Sequence, residues 1–136
     1  MHSGDDALPY MDKALPDAWK AAGAFAAVVS KETAKHGLTL AESEIVKVRV
    51  SQLNGCVFCL DLHSRQARKL GVPQQKLDLL PAWREATLFS SRETALLAVA
   101  EAATELPLSE NSKADLLAAR NALGEETFVS AEWVAA

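Results

Sequence analysis

The sequence predicts an all-α protein of about six to seven helices, in one domain spanning residues 1–136. Two capping boxes indicate helix starts, because Thr39 and Ser90 are each followed three residues later by a glutamate. Proline and glycine stand where helices begin and end, as at Pro16 and Gly37. No pair of alternating apolar runs flanks a tight-turn dipeptide, so no β-hairpin is predicted.

The first two predicted helices occupy the N-terminal half of the chain. The first runs through the alanine-rich stretch between Pro16 and Gly37. The second follows the cap at Thr39, contains "SEIVKVRVSQL" and stops at Asn54. Its β-branched residues are also compatible with a strand. The cap and the spacing of the polar residues favour a helix.

The remaining helices follow in order. One begins at Cys56 and ends at Gly71, and a short one lies in "QQKLDLL". The helix that opens after Ser90 ends before Pro107, which cannot continue a helix. The segments "SKADLLAARNALG" and "EETFVSAEWVAA" form the last two.

The two ends of the sequence differ from the middle. Residues 1–10 are expected to be flexible. The last helix is expected to be short or cut off, since its apolar stripe of Phe128, Trp133 and Val134 is followed at once by the end of the sequence. Apolar surface left uncovered there would favour burial against another subunit.

Composition excludes several function classes. The chain has 136 residues, 49% of them hydrophobic, which is enough for a core. A net charge of -4 argues against a nucleic-acid partner, which would require clustered Lys and Arg. No apolar run has the length of a membrane span or of a signal peptide, so we expect no membrane partner and a cytoplasmic location. In a reducing cytosol, paired cysteines are more often catalytic or metal-binding than structural.

The stretch "NGCVFCLDLHSRQ" contains most of the candidate reactive residues. On a helix, Cys56, Cys59 and His63 project from one face. Cys56 is expected in the first turn, where free N–H groups and the helix dipole favour a thiolate. His63, one turn beyond Cys59, can accept or return a proton. The pattern is therefore compatible with a working thiol pair.

Two other interpretations of this stretch stay open. Cysteine, histidine and carboxylate are zinc ligands, although the rise of about 10 Å between Cys56 and His63 along a helix makes one shared ion awkward. Alternatively, the cysteines are buried and reduced, and the histidine is bonded within the core.

Glu44 is the fourth candidate. It lies in an apolar flank twelve residues before Cys56, and a buried carboxylate needs a partner. If the helices before and after Gly55 pack as a pair, Glu44 can reach His63. The alternative is a solvated glutamate in the first turn of the helix, where the helix dipole stabilises its charge.

The spacing of Glu44, Cys56, Cys59 and His63 resembles the signature of the AhpD-like alkylhydroperoxidases, within the carboxymuconolactone decarboxylase superfamily. The stretch "AWREATLFSSRETALLAVAEAAT" is similar to the small peroxidase-like branch as well. The similarity covers roughly residues 10–106.

The resemblance implies an enzyme with peroxidase and antioxidant activity: a hydroperoxide reductase that uses the cysteine pair and needs no cofactor or metal. It implies that Cys59 attacks the peroxide, that Cys56 resolves the sulfenic acid, and that Glu44 and His63 relay protons. The helix dipole alone favours Cys56 as the more acidic thiol, so the two arguments disagree on the attacking residue.

The resemblance also implies partners. These are a hydroperoxide, an external dithiol reductant for which the family suggests the lipoyl type, and further copies of the chain in a homotrimer or homohexamer. The alternatives are a thiol-disulfide oxidoreductase and a non-enzymatic, redox-sensing oligomeric module. Lactone decarboxylation is the less expected chemistry, because the decarboxylase branch lacks the cysteine pair.

Some residues depart from the family pattern or have structural interpretations. Phe58 stands where some members carry a histidine, and the last helix is shorter than is common. Trp83 and Arg84 are expected either beside the site or as a core tryptophan with an arginine whose head reaches solvent. Trp19 and Trp133 are interpreted as packing residues.

Overall fold

A computed structural model of the chain describes residues 8–136. Of the predicted flexible segment, residues 1–7 lie outside the described residues. Within the described range every regular element is helical: α1 Met11–Ala14, α2 Pro16–Lys35, α3 Leu40–Asn54, α4 Val57–Lys69, α5 Gln74–Leu79, a 3₁₀ turn Leu80–Ala82, α6 Ser91–Ala103, α7 Glu110–Leu123 and α8 Glu125–Ala135. The all-α prediction is confirmed.

The described residues contain eight α-helices, slightly more than the six to seven predicted. The addition is α1, a single turn without a side-chain cap or a buried residue. Both capping boxes are formed: the hydroxyls of Thr39 and Ser90 accept from the backbone of Glu42 and Glu93, each at 3.1 Å. The helix prediction for α3 is therefore confirmed and its strand alternative is wrong.

Two apolar clusters form the core on either side of α6. One lies among α3, α6, α7 and α8, around Val46, Leu96 and Val99. The other joins α3, α4, α5 and the 3₁₀ turn to α6, around Val48, Leu80 and Leu97. Because α6 touches both clusters, it is buried from Ala95 to Ala100 and apolar all round. This packing holds α3 and α4 side by side.

Trp83 belongs to the second cluster with 5% of its surface exposed. Its indole N–H donates to Glu101, and the Arg84 guanidinium lies 4.4 Å from the centre of its ring. The core interpretation of Trp83 and Arg84 is therefore the one that the structure supports.

Trp19 and Trp133, interpreted as packing residues, lie outside both apolar clusters. Trp19 is 56% exposed and Trp133 is 54% exposed. The reason is that α2 lies beside the core, where it touches mainly α8. Trp133 meets Phe25 of α2 edge-on, with ring centroids 6.2 Å apart, and neither ring enters the apolar clusters.

None of the described helices is both long and apolar enough to span a bilayer.

Two ion pairs connect α6 to helices α3 and α5. Arg92 donates to Glu42 on α3 and to the carbonyl of Gly37. Lys76 on α5 donates to Glu93, with the closest N–O distance at 2.7 Å. Burial alone would raise the pKa of Glu42, but hydrogen bonds from Arg92 and the Thr39 backbone outweigh it and hold this pKa below its ordinary value.

Arg92→Met should make the free energy of unfolding depend less on pH in the acidic range. The lowered pKa of Glu42 means that its ionised form stabilises the fold above its ordinary pKa of 4.5, and that this contribution is lost as the pH falls below that value. In the variant this loss should be smaller. Urea unfolding between about pH 6 and pH 3 measures the slope. Arg65→Met, which removes an exposed pair with Asp61, is the control and should keep the wild-type slope.

Candidate functional site

A tight turn joins the two helices that carry the candidate residues. Gly55 ends α3 at φ 66° and ψ 29°, in the left-handed region that favours glycine. The backbone N–H of Cys56 donates back to the carbonyl of Ser51 at 3.2 Å, and α4 begins at Val57. Since only Gly55 and Cys56 separate the helices, α4 folds back along α3.

Cys56 was expected in the first turn of α4 but lies just before it. It is the N-cap of α4, with φ -86° and ψ 103°, and does not belong to the first turn. The reason is that Gly55 turns the chain so sharply that Cys56 keeps an extended backbone, and its sulfur takes the place of a capping oxygen. Its Sγ accepts from the Cys59 N–H at 3.2 Å.

The cysteine pair is closed. The Cα atoms of Cys56 and Cys59 are 5.3 Å apart, and the two sulfurs lie at disulfide distance. Both residues are half-buried, so the pair is accessible at the surface. The expectation of buried, reduced cysteines does not match this arrangement.

Glu44 and His63 meet although they are nineteen residues apart. The His63 Nδ1 lies 2.8 Å from a carboxylate oxygen of Glu44. Glu44 is buried, with 6% of its surface exposed, and its other oxygen lies 3.5 Å from Lys47 Nζ. The solvated interpretation of Glu44 is therefore wrong, and its predicted approach to His63 is confirmed.

This contact orients the imidazole. When Glu44 is ionised its carboxylate can only accept, so in that state the hydrogen of this bond is on His63 Nδ1. Nε2 is left to exchange a proton with another group. Because His63 follows Cys59 by four residues on α4, the two side chains are neighbours on one face.

Asp61, between those two residues, points elsewhere. It accepts from Arg65 at 3.1 Å, and both side chains are more than half exposed. The structure thus joins Glu44 to His63 and Cys56 to Cys59, with Cys59 and His63 one turn apart on α4, and leaves Asp61 outside.

An aromatic cleft borders the cysteine turn. Its volume is about 400 Å³, and it is lined by Tyr10, Asp12, Lys13, Trp19 and Phe58. Phe58, between the cysteines, is 67% exposed. Tyr10 and Trp19 were not predicted to lie here, because their approach to Phe58 depends on where α2 lies relative to α4.

Among the residues that the structure describes, no three or more His, Cys, Asp or Glu side chains are grouped so that they could hold a metal ion.

A helical fold with a cysteine pair at a helix start, and a buried glutamate paired with a half-buried histidine on the adjacent helix, defines a recognisable class. The model of the carboxymuconolactone decarboxylase family matches residues 17–102, and the chain belongs to that family. Together with the structural neighbour described below, this confirms the AhpD-like resemblance.

Two relatives and one solved structure place the chain within its family. It is 39% identical over 79 residues to YdfG of Bacillus subtilis, an uncharacterized protein, covering 58% of this chain and 54% of YdfG. It is 35% identical over 63 residues to YnjA of Escherichia coli, also uncharacterized, covering 46% of this chain and 35% of YnjA. The matches thus span about half or less of these relatives.

The solved structure is that of ATU0492 from Agrobacterium tumefaciens, a protein of unknown function provisionally described as the antioxidant defence protein AhpD. It is 27% identical, with a TM-score of 0.75, and the superposition covers 93% of this chain and 84% of that one.

Proposed function

We propose that the protein is an antioxidant enzyme, a thiol-dependent hydroperoxide reductase. The observation that carries the proposal is the 2.8 Å contact between buried Glu44 and His63 Nδ1, one turn from Cys59. A histidine oriented by a buried carboxylate is the arrangement that activates nucleophiles in many enzymes. A pair of structural cysteines would not need it.

The first step forms a sulfenic acid. His63 draws the proton from the Cys59 thiol, and the thiolate attacks the terminal oxygen of the hydroperoxide. The O–O bond breaks, the sulfur is oxidised to S–OH, and the alkoxide takes the proton from the imidazolium and leaves as an alcohol. Glu44 stabilises the imidazolium in between.

The second step closes the pair. The Cys56 sulfur attacks the Cys59 sulfenic acid, a disulfide forms, and water leaves. An external dithiol then attacks the disulfide and is itself oxidised to a disulfide, which restores both thiols. Over the cycle one hydroperoxide and one dithiol give one alcohol, one water and one new disulfide.

A second candidate function is thiol-disulfide exchange with another protein or small molecule. The observation in its favour is the hydrogen bond from the Cys59 N–H to Cys56 Sγ at 3.2 Å. Charge on a sulfur at a helix N-terminus is stabilised, so Cys56 would be a good leaving thiolate when the disulfide is attacked.

A steady-state assay distinguishes the two functions. Reduced protein is supplied with an organic hydroperoxide and a panel of dithiols that includes dihydrolipoamide. A peroxidase consumes hydroperoxide catalytically with at least one dithiol. Catalytic reduction of a disulfide substrate, with no hydroperoxide consumed by any dithiol, would instead favour exchange and contradict the proposal.

A further inference from the structure

The buried Glu44 carboxylate is shared between two basic side chains. One oxygen lies 2.8 Å from His63 Nδ1 on α4, and the other lies 3.5 Å from the Lys47 ammonium, three residues further along α3. Among the residues that the structure describes, no other nitrogen of a lysine, arginine or histidine lies within 4 Å of this carboxylate. Lys47 is therefore the permanent positive charge beside the Glu44–His63 pair.

Lys47 is more buried than the lysines of comparable pairs. Its side chain is 28% exposed, whereas Lys35 and Lys113, which also follow a paired glutamate by three residues, are 59% and 54% exposed. The glutamates of those two pairs are more than half exposed, but the Glu44 side chain is 8% exposed. Exposed pairs of this kind contribute little, since water and salt screen them. The Lys47–Glu44 pair is screened far less.

The neighbouring charges do not replace Lys47. Charged side chains on α3, α4 and α6 pair with one another away from this carboxylate: Arg49 with Glu101, Arg92 with Glu42, and Arg65 with Asp61. While His63 is neutral, the charge of Glu44 is thus balanced by Lys47.

We propose that Lys47 is a positioning residue for the Glu44–His63 pair, an inference that rests on the proposed function. Its ammonium neutralises Glu44 before the reaction begins. His63 then stays neutral, with its hydrogen on Nδ1, and Nε2 is free to accept the proton of the Cys59 thiol.

Without Lys47 the pair would take up a proton from water, because a buried carboxylate beside a neutral imidazole is an uncompensated charge. The two groups share that proton as one unit. If it is on the imidazole, His63 is an imidazolium and Nε2 carries a hydrogen. If it is on Glu44, the carboxyl donates to Nδ1 and the imidazole hydrogen moves to Nε2. Neither form can accept the proton of Cys59.

Lys47 also acts after His63 has taken the thiol proton. Glu44 stabilises the imidazolium, and the nearby positive charge of Lys47 limits that stabilisation. The proton can therefore be passed on to the alkoxide when the O–O bond breaks. The lysine thus keeps His63 able both to accept a proton and to release it.

Nitrogen-15 NMR of the full chain in its disulfide form tests the inference without relying on catalysis. While His63 is neutral, the wild type should show the hydrogen on Nδ1. In Lys47→Met, Nε2 should acquire a hydrogen at a higher pH than in the wild type. Lys47→Arg keeps the charge and should restore the wild-type behaviour. Lys113→Met is the matched control: it removes the lysine of an exposed pair of the same spacing and should leave the His63 signals unchanged.

The single-turnover rate of hydroperoxide reduction provides the second measurement. In Lys47→Met the acidic limb of the pH–rate profile should move to higher pH by about one unit, the low end of the effect of a charge at this range. The rate at high pH and the circular dichroism should stay close to those of the wild type. A lysine that serves stability alone would leave the position of the limb unchanged.

Three results would overturn the inference: wild-type protonation of Nε2 in Lys47→Met, a defect that Lys47→Arg does not restore, or an equal effect of Lys113→Met. If Lys47→Met fails to fold, Lys47→Gln replaces it. A wild type that consumes no hydroperoxide would refute the proposed function instead. The NMR comparison would then still decide whether Lys47 controls the proton on His63.

Discussion

Cys59→Ser should abolish hydroperoxide reduction, whereas Cys56→Ser should retain a single turnover. In the proposed chemistry Cys59 supplies the attacking sulfur, and its loss should lower the rate by about 10⁴-fold or more, the scale seen when other enzymes lose their nucleophile. Without Cys56, the Cys59 sulfenic acid forms once and cannot be resolved within the chain.

The position of Cys56 agrees with a resolving role. Its sulfur accepts the Cys59 N–H at the start of α4, where a thiolate is stabilised. That thiolate can attack the sulfenic acid and can leave again when the external dithiol attacks the disulfide. Cys59 instead has His63 one turn away to remove its proton. The proposed chemistry therefore assigns different tasks to the two thiols.

Single-turnover reactions with one equivalent of hydroperoxide distinguish the roles. A reagent that traps sulfenic acids should label Cys56→Ser at Cys59, and one alcohol should form per chain. Trapped sulfenic acid in Cys59→Ser, with none in Cys56→Ser, would reverse the assignment and support the helix-dipole argument from the sequence.

Glu44→Gln should reduce the rate of peroxide reduction by about 10²- to 10⁴-fold, the usual contribution of a positioned acid–base group. Glutamine keeps the shape but not the charge, so the imidazolium formed by His63 loses its stabilising partner 2.8 Å away. His63→Ala should have a similar effect. The double variant should be little worse than either single one, because the two residues act as a unit.

Thiolate formation provides a second measurement on the same variants. In reduced Glu44→Gln the Cys59 thiolate should form at a higher pH than in the wild type, followed by ultraviolet absorbance. Asp61→Asn is the matched control: this carboxylate lies on the same helix but faces Arg65 and solvent, so both rate and thiolate titration should stay at wild-type values. An unchanged rate in Glu44→Gln would show that the buried contact serves stability alone.

Local signals in the sequence predicted most of the fold. Both capping boxes and the left-handed Gly55 are set within a few residues, so α3, α4 and α6 could be located. The Glu44–His63 contact was also predictable, because a turn of only two residues makes α4 pack antiparallel to α3.

Features that depend on distant contacts could not be predicted in this way. Whether Trp19 is buried depends on where α2 lies and on what covers it, and neither is encoded in the spacing of its apolar residues. The same holds for the cleft that Trp19 shares with Phe58. The extended backbone of Cys56 differs from the prediction by one position, which is the usual uncertainty of a helix boundary.

A thiol count tests the central claim most directly. Fully reduced protein receives one equivalent of an organic hydroperoxide without any external reductant, and free thiols and product alcohol are measured together. We expect two thiols lost for each alcohol formed, with Cys56 and Cys59 joined within one chain. Retention of both thiols with no alcohol formed, or stoichiometric zinc bound to the purified protein, would contradict the account.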